Sequence, residues 1–357
     1  MNVGVVGGGI NGLCCAWILA QSGHQVTLFE RNRIMDATSR SSSKLLHGGI
    51  RYLENGELRL VREALRERDA WLAIMPDLAK PLPIIYPKYR WGKRQRWMLE
   101  MGFGLYGLLS GASTLPPAKW LDPNAVMEKI PDLRSSGLEG GFLYYDVQMD
   151  DYELGKWVAS QCLGLGVKIR EYTPVMSVAV DGTLKLVDGS SQMFERLLNV
   201  AGPWAENLLT NSDITPRYQL DLVRGSHLII NRDCLHSLIL EVPHETRIFF
   251  VLPWQGKTLV GTTEVRQTLD DAIICSDQER QYLLEAYNCY FTTPISNHEV
   301  IETFAGLRPL LRSADNPGRA SREYAIQRNE NLTTVFGGKW TTARALAYKV
   351  QHKCLAR

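Results

Sequence analysis

The chain has 357 residues, with 40 Lys+Arg against 38 Asp+Glu, 45% hydrophobic residues and 22% charged ones. That length gives room for about two domains with a substantial core. A net charge of +2 argues against a dedicated nucleic-acid binder, and the composition argues against a disordered or collagen-like chain.

Seven cysteines, an odd number without a CxxC, provide neither a disulfide framework nor metal-ligand spacing. They read as buried, reduced thiols in a reducing, cytoplasmic setting. The first six residues, Met1-Asn2-Val3-Gly4-Val5-Val6, carry no basic region or cleavage site, so no signal peptide is expected. Val3 to Val6 is a short apolar run that fits a strand buried on both faces. Gly7-Gly8-Gly9-Ile10-Asn11-Gly12 follows, then a helical stretch from Leu13 to Gln21. Gln25 to Phe29 reads as a second strand, ending at Glu30. Strand, GxGxxG, helix, strand and acid stand in the order a dinucleotide needs. Gly7 permits the tight turn, Gly9 lets a pyrophosphate approach the backbone, and Gly12 lets helix and strand pack closely. The helix N-terminus faces the phosphates and Glu30 the ribose hydroxyls. FAD and NAD share this fingerprint; its place at residue 7 leans towards FAD.

Thr38 to Ser43 is rich in hydroxyls and precedes Lys44-Leu45-Leu46-His47-Gly48-Gly49-Ile50-Arg51-Tyr52, which reads as a ligand-contacting loop. Leu58 to Arg68 is a charged helix. Lys88 to Trp97 holds five basic residues, three aromatics and no acid, and Met98 to Leu109 is mostly apolar. Residues 88–109 fit a peripheral contact with the inner face of the cytoplasmic membrane, and equally a solvated basic face capping a core helix. No apolar run approaches the ~20 residues of a spanning helix. Leu184 to Asn199 reads as a hairpin, residues 216–270 as antiparallel strands, and 277–291 as one helix.

The stretch from Thr38 to Arg68 resembles FAD-dependent glycerol-3-phosphate dehydrogenases and glycerophosphate oxidases, of the D-amino-acid-oxidase-like flavoprotein superfamily. The resemblance continues in family order. It includes Asn199-Val200-Ala201-Gly202-Pro203-Trp204, Arg224-Gly225-Ser226-His227 and Leu252-Pro253-Trp254 with Gly261-Thr262-Thr263-Glu264-Val265. It ends with Gly306-Leu307-Arg308-Pro309-Leu310, Ser321-Arg322-Glu323-Tyr324 and Phe336-Gly337-Gly338-Lys339-Trp340-Thr341-Thr342.

The resemblance implies an α/β fold with a Rossmann-like FAD-binding domain in three pieces, 1–80, 145–215 and 303–357. A substrate domain, 81–144 and 216–302, would carry a mostly antiparallel sheet over the flavin. Non-covalent FAD would touch Gly7, Gly9, Gly12, Glu30, Thr38, Ser42, Lys44, Val175, Gly202, Gly338, Lys339, Thr341 and Thr342. Arg51, Tyr52, Arg308, Arg322 and Lys339 would surround a small anionic substrate, glycerol 3-phosphate, on its way to dihydroxyacetone phosphate. His47 is the expected base for the hydroxyl proton and Arg308 the group for the developing alkoxide, with His227 a weaker second base. Electrons would pass to quinone. The alternative is another hydroxy acid, amino acid or amine in the same superfamily, with oxygen as acceptor. Usual family members continue into a helical C-terminal domain; with the chain ending at Arg357, a short form lacking it is expected.

Overall fold

The computed structural model describes residues 1–312 and 324–355. Among them, two large sheets share the structure. The first runs, edge to edge, Tyr324–Asn329, Leu332–Gly337, Arg196–Asn199, Asn2–Val6, Gln25–Phe29 and Lys168–Arg170. Its pairs are parallel except the hairpin Tyr324–Asn329/Leu332–Gly337. Parallel sheets need both faces covered, and one cover is the helix Ile10–Gln21, held in turn by Asp151–Gly164 and Ala343–Leu355. That explains why Ile10–Gln21 is apolar nearly all round: Leu13, Cys14, Ala16, Ile18 and Leu19 are all buried. The helix starts three residues before the expected Leu13, because Gly9 already serves as its N-cap.

The second sheet is mostly antiparallel. Its order is Val265–Arg266, Leu220–Ile230, Lys257–Gly261, Ile248–Trp254, Ser237–Glu241, Ala79–Tyr89, Leu138–Met149 and Leu45–Leu46. Val300–Leu311 also pairs along Leu220–Ile230. The expected domain limits at 145 and 303 fall inside strands of this sheet, Leu138–Met149 and Val300–Leu311. Both strands are long and continuous, with no turn residue at those points. Leu45–Leu46 also pairs in this sheet, so the loop carrying His47 leaves directly from it.

Three other expectations change. Leu58–Ile74 is longer than the expected helix ending at Arg68. The hairpin of 184–199 comprises Thr183–Leu186 and Ser191–Met193, while Arg196–Asn199 leaves it to join the parallel sheet. The cysteines are not uniformly buried: all seven are free, but Cys234 and Cys275 are half-buried and Cys289 is exposed. No helix among the described residues is long and apolar enough to cross a membrane.

The basic stretch is corrected in detail. Lys88 is buried near the end of the strand Ala79–Tyr89 and pairs with Glu139 at 3.3 Å. Arg94 is buried between Glu54 and Glu241. Arg90, Lys93 and Arg96 remain at the surface. The helix Arg96–Ser110 buries Leu99, Phe103 and Tyr106, yet Trp97, Met101 and Leu108 on its other side are 59%, 66% and 77% exposed.

Candidate active site

A single cavity of ≈570 Å³ runs between the two sheets, within the size range of ligand sites. Glu30, Arg31, Val175 and Trp204 line it together with the glycine turn and the hydroxyl loop. His47, Arg51, Tyr52, Arg308 and Lys339 line it too, from three separate segments of the chain.

The glycine turn has the shape a dinucleotide requires. Gly7 has φ +114°, and a side chain there would press its Cβ to 2.4 Å from the Val200 carbonyl oxygen. A Cβ on Gly12 would lie 1.9 Å from the Gly7 carbonyl, so Gly12 packs helix against turn and does not itself line the cavity. Gly9 lines it beside Ser39, whose hydroxyl accepts from the Ile10 N–H at 3.0 Å. Glu30 accepts from the Gly8 N–H at 2.7 Å and from Asn32 N–H at 2.9 Å, which fixes its carboxylate at the strand end. Gly202 (φ +57°) and Gly338 (φ +99°) both adopt left-handed backbone and both line the cavity. Arg31 lies 3.7 Å over the Trp204 ring. A cavity with a backbone cradle and an anchored acid fits FAD.

The hydroxyl loop divides its work. Thr38 and Ser42 both line the cavity. Thr38 also donates to the Leu307 carbonyl at 2.7 Å, and Ser42 to Asp151 at 2.6 Å. Lys44 is not among the cavity-lining residues. Its ammonium is buried against Asp151 at 2.7 Å and the Arg40 carbonyl at 2.7 Å, so it braces the loop from behind. Thr341 lines the cavity while its hydroxyl accepts from the His47 N–H at 3.2 Å; Thr342 is buried outside the lining and starts the last helix through its carbonyl. Lys339 lies 3.7 Å above the Tyr52 ring. Arg322, expected beside these cations, lies outside the described residues.

His47 is held by its neighbours' backbone. The Gly48 N–H donates to the Tyr106 hydroxyl at 2.9 Å, and Tyr106 donates to buried Asp146 at 2.7 Å. A Cβ on Gly48 would meet Leu65 at 2.4 Å, and one on Gly49 (φ +73°) the Tyr52 ring at 2.0 Å. The Gly-Gly pair is therefore what lets this loop pass between the helix Leu58–Ile74 and the turn Ile50–Asn55.

His227 also lines the cavity, stacked on Phe304 at 4.7 Å and hydrogen-bonded through Nε2 to the Ser43 hydroxyl at 2.8 Å. Burial, with Lys44 and Arg308 nearby, pushes its ring down to about 3, so it is neutral at physiological pH. Sequence reasoning did not name Ser43, Asp151, Trp204 or Glu264 as site residues. Three of them stood in quoted segments, Ser43 in the hydroxyl loop, Trp204 after Gly202-Pro203 and Glu264 after Thr262-Thr263; Asp151 carried no signal.

Residues 2–350 match the family described as FAD dependent oxidoreductase. The glycerol-3-phosphate dehydrogenase of Mycobacterium leprae is 32% identical over 97% of this chain and 61% of its own length. The D-erythritol 1-phosphate dehydrogenase of Brucella abortus is 34% identical over 98% of this chain and 72% of its own. Among solved structures, the glycerol-3-phosphate dehydrogenase of Bacillus halodurans complexed with FAD superposes with a TM-score of 0.78 at 23% identity. That superposition covers 99% of this chain and 64% of that one. The chain thus spans about three fifths of the length of the first of these relatives.

Proposed function

The chain belongs to the FAD-dependent oxidoreductase family, and on that premise we propose that it oxidises the secondary alcohol of a short polyol phosphate. The favoured reaction is glycerol 3-phosphate to dihydroxyacetone phosphate, with a membrane quinone as final electron acceptor. The observation that carries this reading is that Arg51, Arg308, Lys339 and His47 all line one cavity. Three cations in one pocket suit a phosphate dianion, and guanidinium forks bind its oxygens two at a time.

The glycine turn, Glu30, Thr38, Val175, Gly202, Gly338 and Thr341 would hold FAD, which would supply the acceptor for the two electrons that leave as hydride. The chain supplies the rest. Arg51 and Lys339 hold the phosphate, and the Tyr52 ring under the Lys339 ammonium keeps that charge in place and water out. His47 takes the hydroxyl proton, so that loss of hydride from the same carbon leaves a ketone. Arg308 joins Arg51 and Lys339 on the substrate's anionic group. His227 is a poor base, held at about 3 with Nε2 already bonded to Ser43.

The quinone part rests on the outer side of the helix Arg96–Ser110. An apolar pocket of ≈80 Å³ separates that helix from the substrate turn Ile50–Asn55 and includes Leu53, Met98 and Phe103. Trp97, Met101 and Leu108 stand outside it, beside Arg90, Lys93 and Arg96. Such a face suits anionic lipid.

A second reading, a four-carbon polyol phosphate, is favoured by the likeness to D-erythritol 1-phosphate dehydrogenase. An anaerobic titration watched in the visible tests both. Glycerol 3-phosphate is expected to bleach the flavin; bleaching by D-erythritol 1-phosphate alone selects the second reading. Bleaching by an amino acid and by neither phosphate would remove both.

A further inference from the structure

Leu220–Ile230 runs past the cavity with its side chains alternating between two faces. Gly225 and His227 face the cavity, and both line it. Arg224 and Ser226 face the helix Asp277–Tyr290 on the far side, where they meet Glu279. Glu279 is 4% exposed and is not among the cavity-lining residues.

Its carboxylate is a hub. One oxygen accepts from the Ser226 hydroxyl at 2.8 Å and the Thr263 hydroxyl at 2.6 Å. The other accepts from Arg224 at 2.8 and 3.1 Å and from the Ser276 N–H and hydroxyl at 3.1 and 2.9 Å. Burial alone would raise its titration, but the bonds from Thr263, Ser276, Arg224 and Ser226 hold it at about 2. It is an anion at every pH where an enzyme works.

Thr263 links this hub to the cavity. Its hydroxyl donates to Glu279 and accepts from the Ser226 N–H at 2.9 Å. Its carbonyl accepts from Arg308 Nη2 at 2.8 Å. The next residue, Glu264, stands 3.7 Å from Arg308 Nη1. The guanidinium lies across Gly225, where a Cβ would come within 2.9 Å of Nη2. Two groups that meet Arg308, the Thr263 carbonyl and the Glu264 carboxylate, thus belong to a residue bonded to Glu279 and to its neighbour.

We propose that Glu279 is a positioning residue for anion recognition: by locking the Thr263 carbonyl it sets the direction of the Arg308 guanidinium towards the substrate. The gain is preorganisation, since a long arginine aimed in advance loses less freedom when the anion binds. This rests on the reading that Arg308 binds the anionic substrate.

The test uses the FAD-loaded enzyme, glycerol 3-phosphate and a soluble dye acceptor. Glu279→Gln is expected to raise KM about tenfold, with kcat within about twofold and flavin content unchanged. In an Arg308→Met background the same substitution is expected to change KM by less than about twofold, because the group it aims is gone. Thr263→Ser, which keeps the hydroxyl, is expected to preserve KM, and Thr263→Val to raise it. Thr263→Val carries the test if Glu279→Gln does not fold. Equal effects of Glu279→Gln with and without Arg308, or an unchanged KM in the Arg308 background of the natural sequence, would overturn the proposal. If Arg308→Met alone leaves KM unchanged, what falls is the assignment of Arg308 to the substrate.

Discussion

His47 enters the cavity from a loop clamped by the Thr341 hydroxyl on its own N–H and by Tyr106 on the next one. A base held that firmly acts on one proton, and its loss is felt in turnover more than in binding. His47→Gln is expected to lower kcat by about 10²–10⁴-fold with KM little changed, and to flatten the acid limb of the pH–rate profile. Stopped-flow flavin reduction measures this; an unchanged rate of reduction moves the base elsewhere. His227 has a different signature. The unfolded chain takes up its proton near 6.5, while the folded ring stays neutral to about 3. Folding stability therefore falls as pH drops through that window, by about 3 kcal/mol between pH 7 and pH 4. Glu279 adds a separate loss, confined to the lower window between 4.5 and about 2. Urea unfolding at stepped pH is expected to show the first slope in the natural protein and its absence in His227→Gln. At this scale the cations Arg51, Arg308 and Lys339 were legible because each stands in a glycine-bearing motif. Lys44 stands in one too, yet its partner Asp151 lies at the start of a distant helix. Nothing local distinguishes a lysine that lines the cavity from one that meets a buried carboxylate.

The turn Ile50–Asn55 carries Arg51 and Tyr52, but what secures it comes from another element. Arg94 spans both oxygens of Glu54, donates to the Thr246 carbonyl at 3.0 Å and stands 3.2 Å from buried Glu241. One arginine thus ties the turn, the hairpin tip after Ser237–Glu241 and the approach to the outer helix. Arg94→Met leaves Glu241 buried without that cation, so a loss of about 3–5 kcal/mol is expected by thermal or urea unfolding. A rise in KM should accompany it as the turn loosens; stability lost with KM intact would mean that the turn holds itself. The Arg-Gly-Ser-His segment shows why elements read well and their surroundings do not. Its period of two, and so its strand, was plain from the sequence. Which residues face the cavity follows only from the helix Asp277–Tyr290 covering the other face of the strand. Likewise, strands Leu138–Met149 and Val300–Leu311 were not separable from the flavin pieces around them, since pairing partners lie far off in the chain.

At the scale of the whole molecule, the helix Arg96–Ser110 stands out for apolar side chains on both its buried and its exposed side. Leu99, Phe103 and Tyr106 bury against the helix Leu58–Ile74 and the sheet, which accounts for the helix itself. Nothing in the fold accounts for Trp97, Met101 and Leu108 in a row on the other side. Two of the five basic residues that first suggested a lipid contact, Lys88 and Arg94, are spent on buried pairs, so charge alone is a weak attraction. The apolar row must then supply most of the binding, at roughly 1.5–3 kcal/mol for each large side chain fully buried and less for partial insertion. Replacing Trp97, Met101 and Leu108 together by serine is accordingly expected to weaken co-sedimentation with anionic phospholipid vesicles by about 10²-fold or more. Dye-linked oxidation of glycerol 3-phosphate in solution should stay within about twofold, because none of the three lines the cavity. Reduction of a vesicle-borne quinone should fall with vesicle binding. If the natural protein floats free of vesicles at low salt, the row has another partner and the quinone must be reached by another face.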